Sequence, residues 1–366
     1  MTDTSSAHAR VRAVLAAARL LADPTHELGR EARARLPEVT GLSPRGVDLG
    51  LTEHLELDAT ADDIQTLIES VPPAKQAHVV LSANVFVAAS RAIALALAST
   101  AQVFVRPSRR EPVTARLMAR ALEKTAPIEI VDDIEPKLGD CVHVYGHDAT
   151  IDAFRAALEP DVPVWGHGAG FGVAVLDGEG LDDEQLAHAI EHLTRDIVVF
   201  DQRGCLSPRA LLFRGTEPQL DLVTQQLVEQ LERSAAETPV GEVDDEDRIQ
   251  RRSYLDVMAS VGLSYEVSVG GVGVDLAPSA ITVPGSPRTM HIARVDDVTH
   301  ALRLLSPIER AITALGGEGH LFEAIASEIH WARRSRLGDM QRPRLDGPVD
   351  RRGSMQGRWT SGPIAR

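Results

Sequence analysis

The chain holds two cysteines, Cys141 and Cys205. The second lies in the stretch Phe200-Asp201-Gln202-Arg203-Gly204-Cys205-Leu206-Ser207-Pro208-Arg209, a polar turn between two apolar runs. Ile197-Val198-Val199-Phe200 precedes it and Leu211-Leu212-Phe213 follows, both with strand character, so Cys205 is expected in a strand-to-strand or strand-to-helix connection. Gly204 allows a close approach of backbone to a ligand, and Pro208 blocks helix continuation. A thiol in such a turn offers nucleophilic chemistry. Composition alone favours a buried small hydrophobe over a reactive thiol, because free cysteine is among the most buried residue types.

Other chemistry-bearing residues are sparser. A hydrolase pairing Cys205 with His188 or His192 finds no support in spacing. Those histidines share a helix with Asp183 and Glu184 that reads as a solvated face. Cys141, His143 and His147 do not complete a local four-ligand set, and no metal is expected. The turn Gly166-His167-Gly168-Ala169-Gly170-Phe171-Gly172 follows a strand, where a phosphate-binding turn belongs. It is not the dinucleotide fingerprint, since Phe171 stands where the last glycine would be needed. The three lysines, Lys75, Lys124 and Lys137, follow no glycine-rich phosphate loop, which disfavours a Walker-type nucleotide hydrolase.

The elements that must position these groups read as β/α. With 366 residues the chain has room for two domains. At 43% hydrophobic but only 4% aromatic, its core is expected to be aliphatic, which suits helices on a parallel sheet. The net charge of -15 argues against nucleic acid. Arg109, Arg110 and the run 333–336 are local basic exceptions. Two cysteines are too few for a disulfide framework and point to a reducing cytoplasm. The apolar segment 85–98 contains Arg91 and is too short to span a bilayer.

Residues 9–37 read as a helix or helix pair with a break at Pro24, 41–50 as a linker, and a helix begins near Asp62. Strands are then expected at 78–81, 102–105, 128–131, 141–145 and 162–165, with helices at 85–99, 112–124 and 151–158 between them. That is a parallel, doubly wound sheet with ligands at the strand carboxyl ends. Helices are expected over 183–195 and 219–234, an acidic loop over 237–246, strands over 263–294, helix from 295 to 331, and an irregular tail from 338.

Four of these stretches, in order, resemble the aldehyde dehydrogenase superfamily, and specifically its acyl-CoA reductase branch. Ser82-Ala83-Asn84-Val85-Phe86 occupies the place of that family's asparagine loop, and Val105-Arg106-Pro107-Ser108 that of its Lys-Pro-Ser cofactor strand. Val144-Tyr145-Gly146-His147-Asp148 stands at its Gly-Ser turn, and Gln202-Arg203-Gly204-Cys205-Leu206-Ser207-Pro208 matches its catalytic cysteine loop. The order and spacing agree over about residues 75–215, and Leu337-Gly338-Asp339-Met340-Gln341-Arg342-Pro343 looks like its C-terminal segment.

The resemblance implies an α/β, aldehyde-dehydrogenase-like fold: a Rossmann-like parallel-sheet cofactor domain with N-terminal helices (1–175), an α/β catalytic domain carrying the cysteine (176–335) and a C-terminal segment (336–366). It implies reduction of an acyl-CoA or acyl-carrier-protein thioester, fatty acyl in type, to an aldehyde. Cys205 would be the nucleophile and Asn84 an oxyanion donor. Arg106, Ser108, Arg109, Gly146, His147 and Gly166 would contact the cofactor, expected to be NADPH, with NADH the alternative. NAD-selective relatives carry an acidic residue just after Lys-Pro-Ser, where this chain has Arg109. The oxidising members' glutamate base falls on Val164, and the later ribose-binding glutamate has no counterpart in 263–290. A homo-oligomer is expected, with no nucleic acid and no membrane span. A non-catalytic member of the fold and an acyl phosphate reductase are the alternatives.

Overall fold

The computed structural model describes residues 4–83 and 85–352. The chain divides into two compact units, one of residues up to 169 together with those from 344 onward, the other Gly170–Pro343.

The first unit opens with helices α1 (Thr4–Ala22), α2 (Glu27–Thr40), α3 (Pro44–Leu49) and α4 (Ala61–Glu69). The expected break at Pro24 separates α1 from α2. The expected linker at 41–50 is instead largely helical: the Ser43 side chain accepts from Gly46 N and Pro44 stands in the first turn of α3, a start signal inside a turn-like composition. The Rossmann-like half follows as β1 (Ala77–Val80), α5 (Ala88–Ser99), β2 (Val103–Arg106), α6 (Val113–Leu122), β3 (Glu129–Ile130), β4 (Cys141–Tyr145), α7 (Asp148–Ala157) and β5 (Val164–His167). Its five strands are ordered β3-β2-β1-β4-β5 and every pairing is parallel. The order reverses between β1 and β4, the point where open α/β sheets form a ligand crevice at the carboxyl ends.

The second unit holds β6 (Phe171–Asp177), α8 (Asp183–Val198), β7 (Pro208–Arg214), α9 (Glu217–Glu237), α10 (Asp245–Val261), β8 (Leu263–Val267), β9 (Gly270–Asp275), β10 (Thr289–Arg294), α11 (Val298–Leu305), β11 (Ile312–Gly317), α12 (His320–Glu328) and β12 (Arg333–Ser335). They build a seven-stranded sheet ordered β12-β11-β6-β7-β10-β9-β8. Only the β8–β9 pairing is antiparallel among those described. One face packs Val173, Val175, Leu212 and Leu315 against Leu304, Leu321 and Ile325 of α11 and α12.

Three further expectations need correction. The run Ile197–Phe200 is not a strand. Leu186, Ile190, Leu193 and Ile197 are all buried at helical spacing, so the β-branched run is the last turn of an amphipathic helix whose period outweighs local propensity. The helix expected over 295–331 is interrupted by β11, and β6 was not foreseen at all. Both are strands buried on both faces, and such runs lack the alternation that marks a half-exposed strand. The domain boundaries also shift, because a cut at 175 falls inside β6. From 344 the chain is tied to the first unit: Arg91 of α5 donates to the Arg344 and Gly347 carbonyls at 2.8 and 2.6 Å, and Arg344 Nε meets Asp63 at 2.8 Å.

Candidate active site

Cys205 sits in a tight turn closed by Ser207 N donating to Gly204 O at 3.1 Å, directly before β7. In register β6 starts beside β7 (Gly172 with Pro208), β11 beside β6 (Ile312 with Phe171), and β10 runs parallel to β7. The turn therefore lies at the amino-terminal edge of the second sheet, opposite to the carboxyl-end rule that applies in the first unit.

The turn is gripped by buried polar groups. Thr313 Oγ1, on β11, donates to the Cys205 carbonyl oxygen, and Gln341 Nε2 donates to Ser207 Oγ at 2.7 Å. The segment carrying Gln341 is itself fixed by Asp196 of α8, whose carboxylate accepts from Gly338 N at 2.6 Å and Met340 N at 3.0 Å. Gly172 is required beneath the turn: a Cβ there would lie 2.5 Å from Leu206 O and 2.6 Å from Met340 Cε. Neither cysteine is in a disulfide. Cys141 is 1% exposed and burial pushes its thiol up to about 11, whereas Cys205 is partly exposed. His188 and His192 pack edge to face on α8, and His192 Nδ1 donates to Leu337 O at 3.1 Å.

The other candidates belong to the first unit. Asn84 lies outside the described residues. Arg106 ends β2, with its guanidinium 3.7 Å from Asp133 and 5.8 Å from the Phe154 ring centroid. Ser108 Oγ accepts from Arg110 N at 3.2 Å, and Arg109 is exposed beside it. Gly146 N donates to His167 O at 3.2 Å, and His147 caps α7 through its backbone. All five residues stand at the carboxyl edge of β2 and β4. Gly166 differs, because a Cβ there would come within 2.6 Å of Ile151 Cγ2. It is glycine so that α7 can approach β5.

Val164 stands at the start of β5, in a core with Val80, Val142, Val144, Ile151 and Val162. It does not reach the carboxyl edge, and the exposed Asp161 lies at the amino end of the strand. What occupies the end of β5 is His167. Its Nε2 is 3.3 Å from His143 Nδ1 and its ring stacks on Tyr145 at 4.0 Å between centroids. Burial pushes His143 down to about 3 and His167 down to about 4, so both rings are neutral at pH 7. Spacing gave no sign of this pair, because its members sit on different strands. Among the described residues no group of three or more metal-ligating side chains occurs, and no helix is long and apolar enough to cross a membrane.

The sequence profile of the acyl-CoA reductase (LuxC) family matches residues 45–309, a span covering the Rossmann-like strands and the Cys205 turn. The chain belongs to this acyl-CoA reductase family. It is thus an oxidoreductase acting on aldehyde and acyl-CoA. Solved structures agree on the fold. A NAD-dependent benzaldehyde dehydrogenase from Corynebacterium glutamicum superposes with a TM-score of 0.67 at 17% identity, covering 94% of this chain and 82% of that one. A NAD-dependent aldehyde dehydrogenase from Sinorhizobium meliloti gives 0.67 at 14%, covering 91% and 75%. An oxidoreductase from Marinobacter aquaeolei gives 0.69 at 11%, covering 94% and 80%. No curated protein sequence matches the chain.

Proposed function

We propose that this acyl-CoA reductase converts a fatty acyl thioester to an aldehyde through an acyl-enzyme on Cys205, with NADPH as reductant. The observation that carries this reading is the contrast between the two thiols. Cys141 is sealed in the sheet with its thiol held protonated, whereas Cys205 is partly exposed in a turn gripped on both sides. A rigid, accessible thiol is what a nucleophile needs.

In the proposed reaction the Cys205 thiolate adds to the thioester carbonyl. The oxyanion is held by the Cys205 backbone N–H and the Asn84 amide, and the tetrahedral adduct collapses to expel the carrier thiolate. Thr313, whose hydroxyl donates to the Cys205 carbonyl and also reaches Phe171 O at 3.2 Å, orients the backbone through which that N–H is presented. The fit of a nicotinamide dinucleotide rests on the strand order of the first unit, whose reversal between β1 and β4 makes the crevice such cofactors use. Arg106, Ser108 and Arg109 after β2, and Gly146 and His147 at the start of α7, would hold it. When bound, the reduced nicotinamide supplies the hydride that turns the acyl group into aldehyde.

The test supplies acyl-CoA of graded chain length with NADPH. Aldehyde and CoA thiol should appear in equal amounts and vanish in Cys205→Ala. Aldehyde formation that survives Cys205→Ala would refute the reading.

A further inference from the structure

Among the described residues, four other than glycine adopt positive φ: Phe200 (55°), Asp201 (49°), Gln202 (57°) and Arg288 (46°). Three of these are consecutive and end three residues before Cys205. The fourth is paired with one of the three. Left-handed backbone is strained for residues that carry a Cβ, and it persists only where the surroundings over-determine it.

Here the surroundings do so. Asp201 and Arg288 are 2% and 1% exposed in their side chains and form a buried ion pair, with Arg288 Nε and Nη2 each 2.8 Å from Asp201 Oδ1. The second carboxylate oxygen accepts from Gly241 N at 3.0 Å, and Arg288 Nη1 donates to Thr238 O at 2.8 Å. The next residue along each strand of the contact repeats the pattern. Thr289 N donates to Gln202 Oε1 at 2.7 Å, while Gln202 Nε2 donates to Pro208 O at 2.8 Å and to Thr289 O at 3.2 Å. Arg209 Nη2 closes the set on the Gln202 carbonyl at 2.7 Å and reaches Ser286 O with Nη1 at 2.7 Å. Residues 201 and 202 are thus zipped to 288 and 289, and the Gln202 side chain bridges to Pro208 across the base of the Cys205 turn.

We propose that Asp201, Arg288 and Gln202 are positioning residues for Cys205: the buried pair and the glutamine clamp force the left-handed run that aims the nucleophile's turn. This rests on the reading of Cys205 as the acylated thiol. A packing role alone would not need the strained run to adjoin the nucleophile. Helix α8 could end in an unstrained turn, and a buried ion pair is weak support for stability.

The test measures single-turnover acylation of Cys205, using whichever acyl-CoA in a series from butanoyl to hexadecanoyl acylates the unsubstituted protein fastest. Variants are Asp201→Ala, Asp201→Asn and Gln202→Gly. Alkylation of Cys205 by iodoacetamide across pH is followed alongside. Misplacement of a reacting group by an ångström costs about 10²-fold, so the saturated acylation rate should fall by about that factor in Asp201→Ala and in Gln202→Gly. Half-saturation by acyl-CoA and the rate and pH midpoint of alkylation should not change. Asp201→Asn, which tolerates left-handed backbone and still accepts from Gly241 N, should restore most of the rate. If Asp201→Ala fails to fold, Gln202→Gly still decides, because glycine accepts the backbone without strain and removes only the clamp. Acylation at the unsubstituted rate in Gln202→Gly, or acylation and alkylation falling together, would overturn the positioning role while leaving Cys205 as nucleophile. No acylation in the unsubstituted protein would overturn the reading of Cys205 and the positioning role with it.

Discussion

Gln341 Nε2 lies 2.7 Å from Ser207 Oγ, joining the last segment of the second unit to the residue two places after Cys205. Ser207 is fully buried, so this hydroxyl has no recourse to water. Gln341→Leu should destabilise the protein by ~1–3 kcal/mol through the orphaned hydroxyl, and adding Ser207→Ala should recover part of the loss. Urea unfolding of the two singles and the double gives the coupling; additive losses would show that the bond is not the source.

Arg109 is exposed after β2, whereas Arg106 already faces Asp133. Charge-assisted hydrogen bonds are worth about 1.5–3 kcal/mol, so a 2′-phosphate held there should favour NADPH by roughly tenfold or more. Arg109→Glu should shift kcat/KM toward NADH by at least that factor. Equal preference before and after the substitution would remove Arg109 from the cofactor site.

Aldehyde oxidation with NADP+ should require free CoA. Hydrolysis of the acyl-enzyme needs a base within reach of water. Val164 is in the core, Asp161 is at the wrong end of β5, and His167 is a weak base at about 4. Acyl-CoA should form only when CoA is added. Steady free acid without CoA would contradict this.

Much of the first unit could be read from the sequence, and for a physical reason. β1, β2, β4 and β5 are short apolar runs bounded by turns and separated by helices, and their observed bounds lie within about two residues of those expected. The Cys205 turn was legible from Gly204, Pro208 and the motif order, but not its setting: it leads from helix α8 into strand β7 instead of leaving a strand. Nor was its support. Arg288, Thr313 and Gln341 reach the turn from distant strands and leave no local spacing, and nothing marks Phe200 or Gln202 as left-handed, since that conformation is normally signalled by glycine or asparagine. Gly166 was read as a ligand turn, whereas what decides it is the approach of Ile151.

That approach makes Gly166→Ala a test of packing. A methyl 2.6 Å from Ile151 Cγ2 should cost ~1–3 kcal/mol of stability. Cofactor affinity of the folded fraction should be retained. Loss of binding at unchanged stability would instead place Gly166 against the cofactor.

His291 is wholly buried, with Nδ1 3.2 Å from the Tyr254 hydroxyl, and burial pushes it down to about 4. Between that value and the unfolded value of ~6.5, the unfolded chain takes up a proton that the folded chain does not, so stability falls as pH falls, by ~1.4 kcal/mol per pH unit. Glu111 and Asp196, held up to about 7 by burial, act in the opposite sense as pH falls from 7. The comparison of His291→Phe with the unsubstituted protein cancels them. Unfolding at about pH 6 and about pH 5 should show the variant's slope smaller by that amount; an unchanged slope would mean His291 protonates without penalty.

Asn84→Ala should slow acylation by roughly 10²–10³-fold, the loss of one oxyanion donor. Single-turnover mass spectrometry reads it. A rate within a few-fold of the unsubstituted protein would leave Asn84 as a turn residue only.

The most direct measurement is the intact mass of the protein after incubation with a panel of acyl-CoAs in the absence of any nicotinamide, followed by peptide mapping. Reduction is then blocked and the acyl-enzyme should accumulate. A mass increase equal to one acyl group, mapped to the Cys205 peptide, absent in Cys205→Ala and intact in Cys141→Ala, is the expected result. An adduct that persists in Cys205→Ala and disappears in Cys141→Ala would contradict the account.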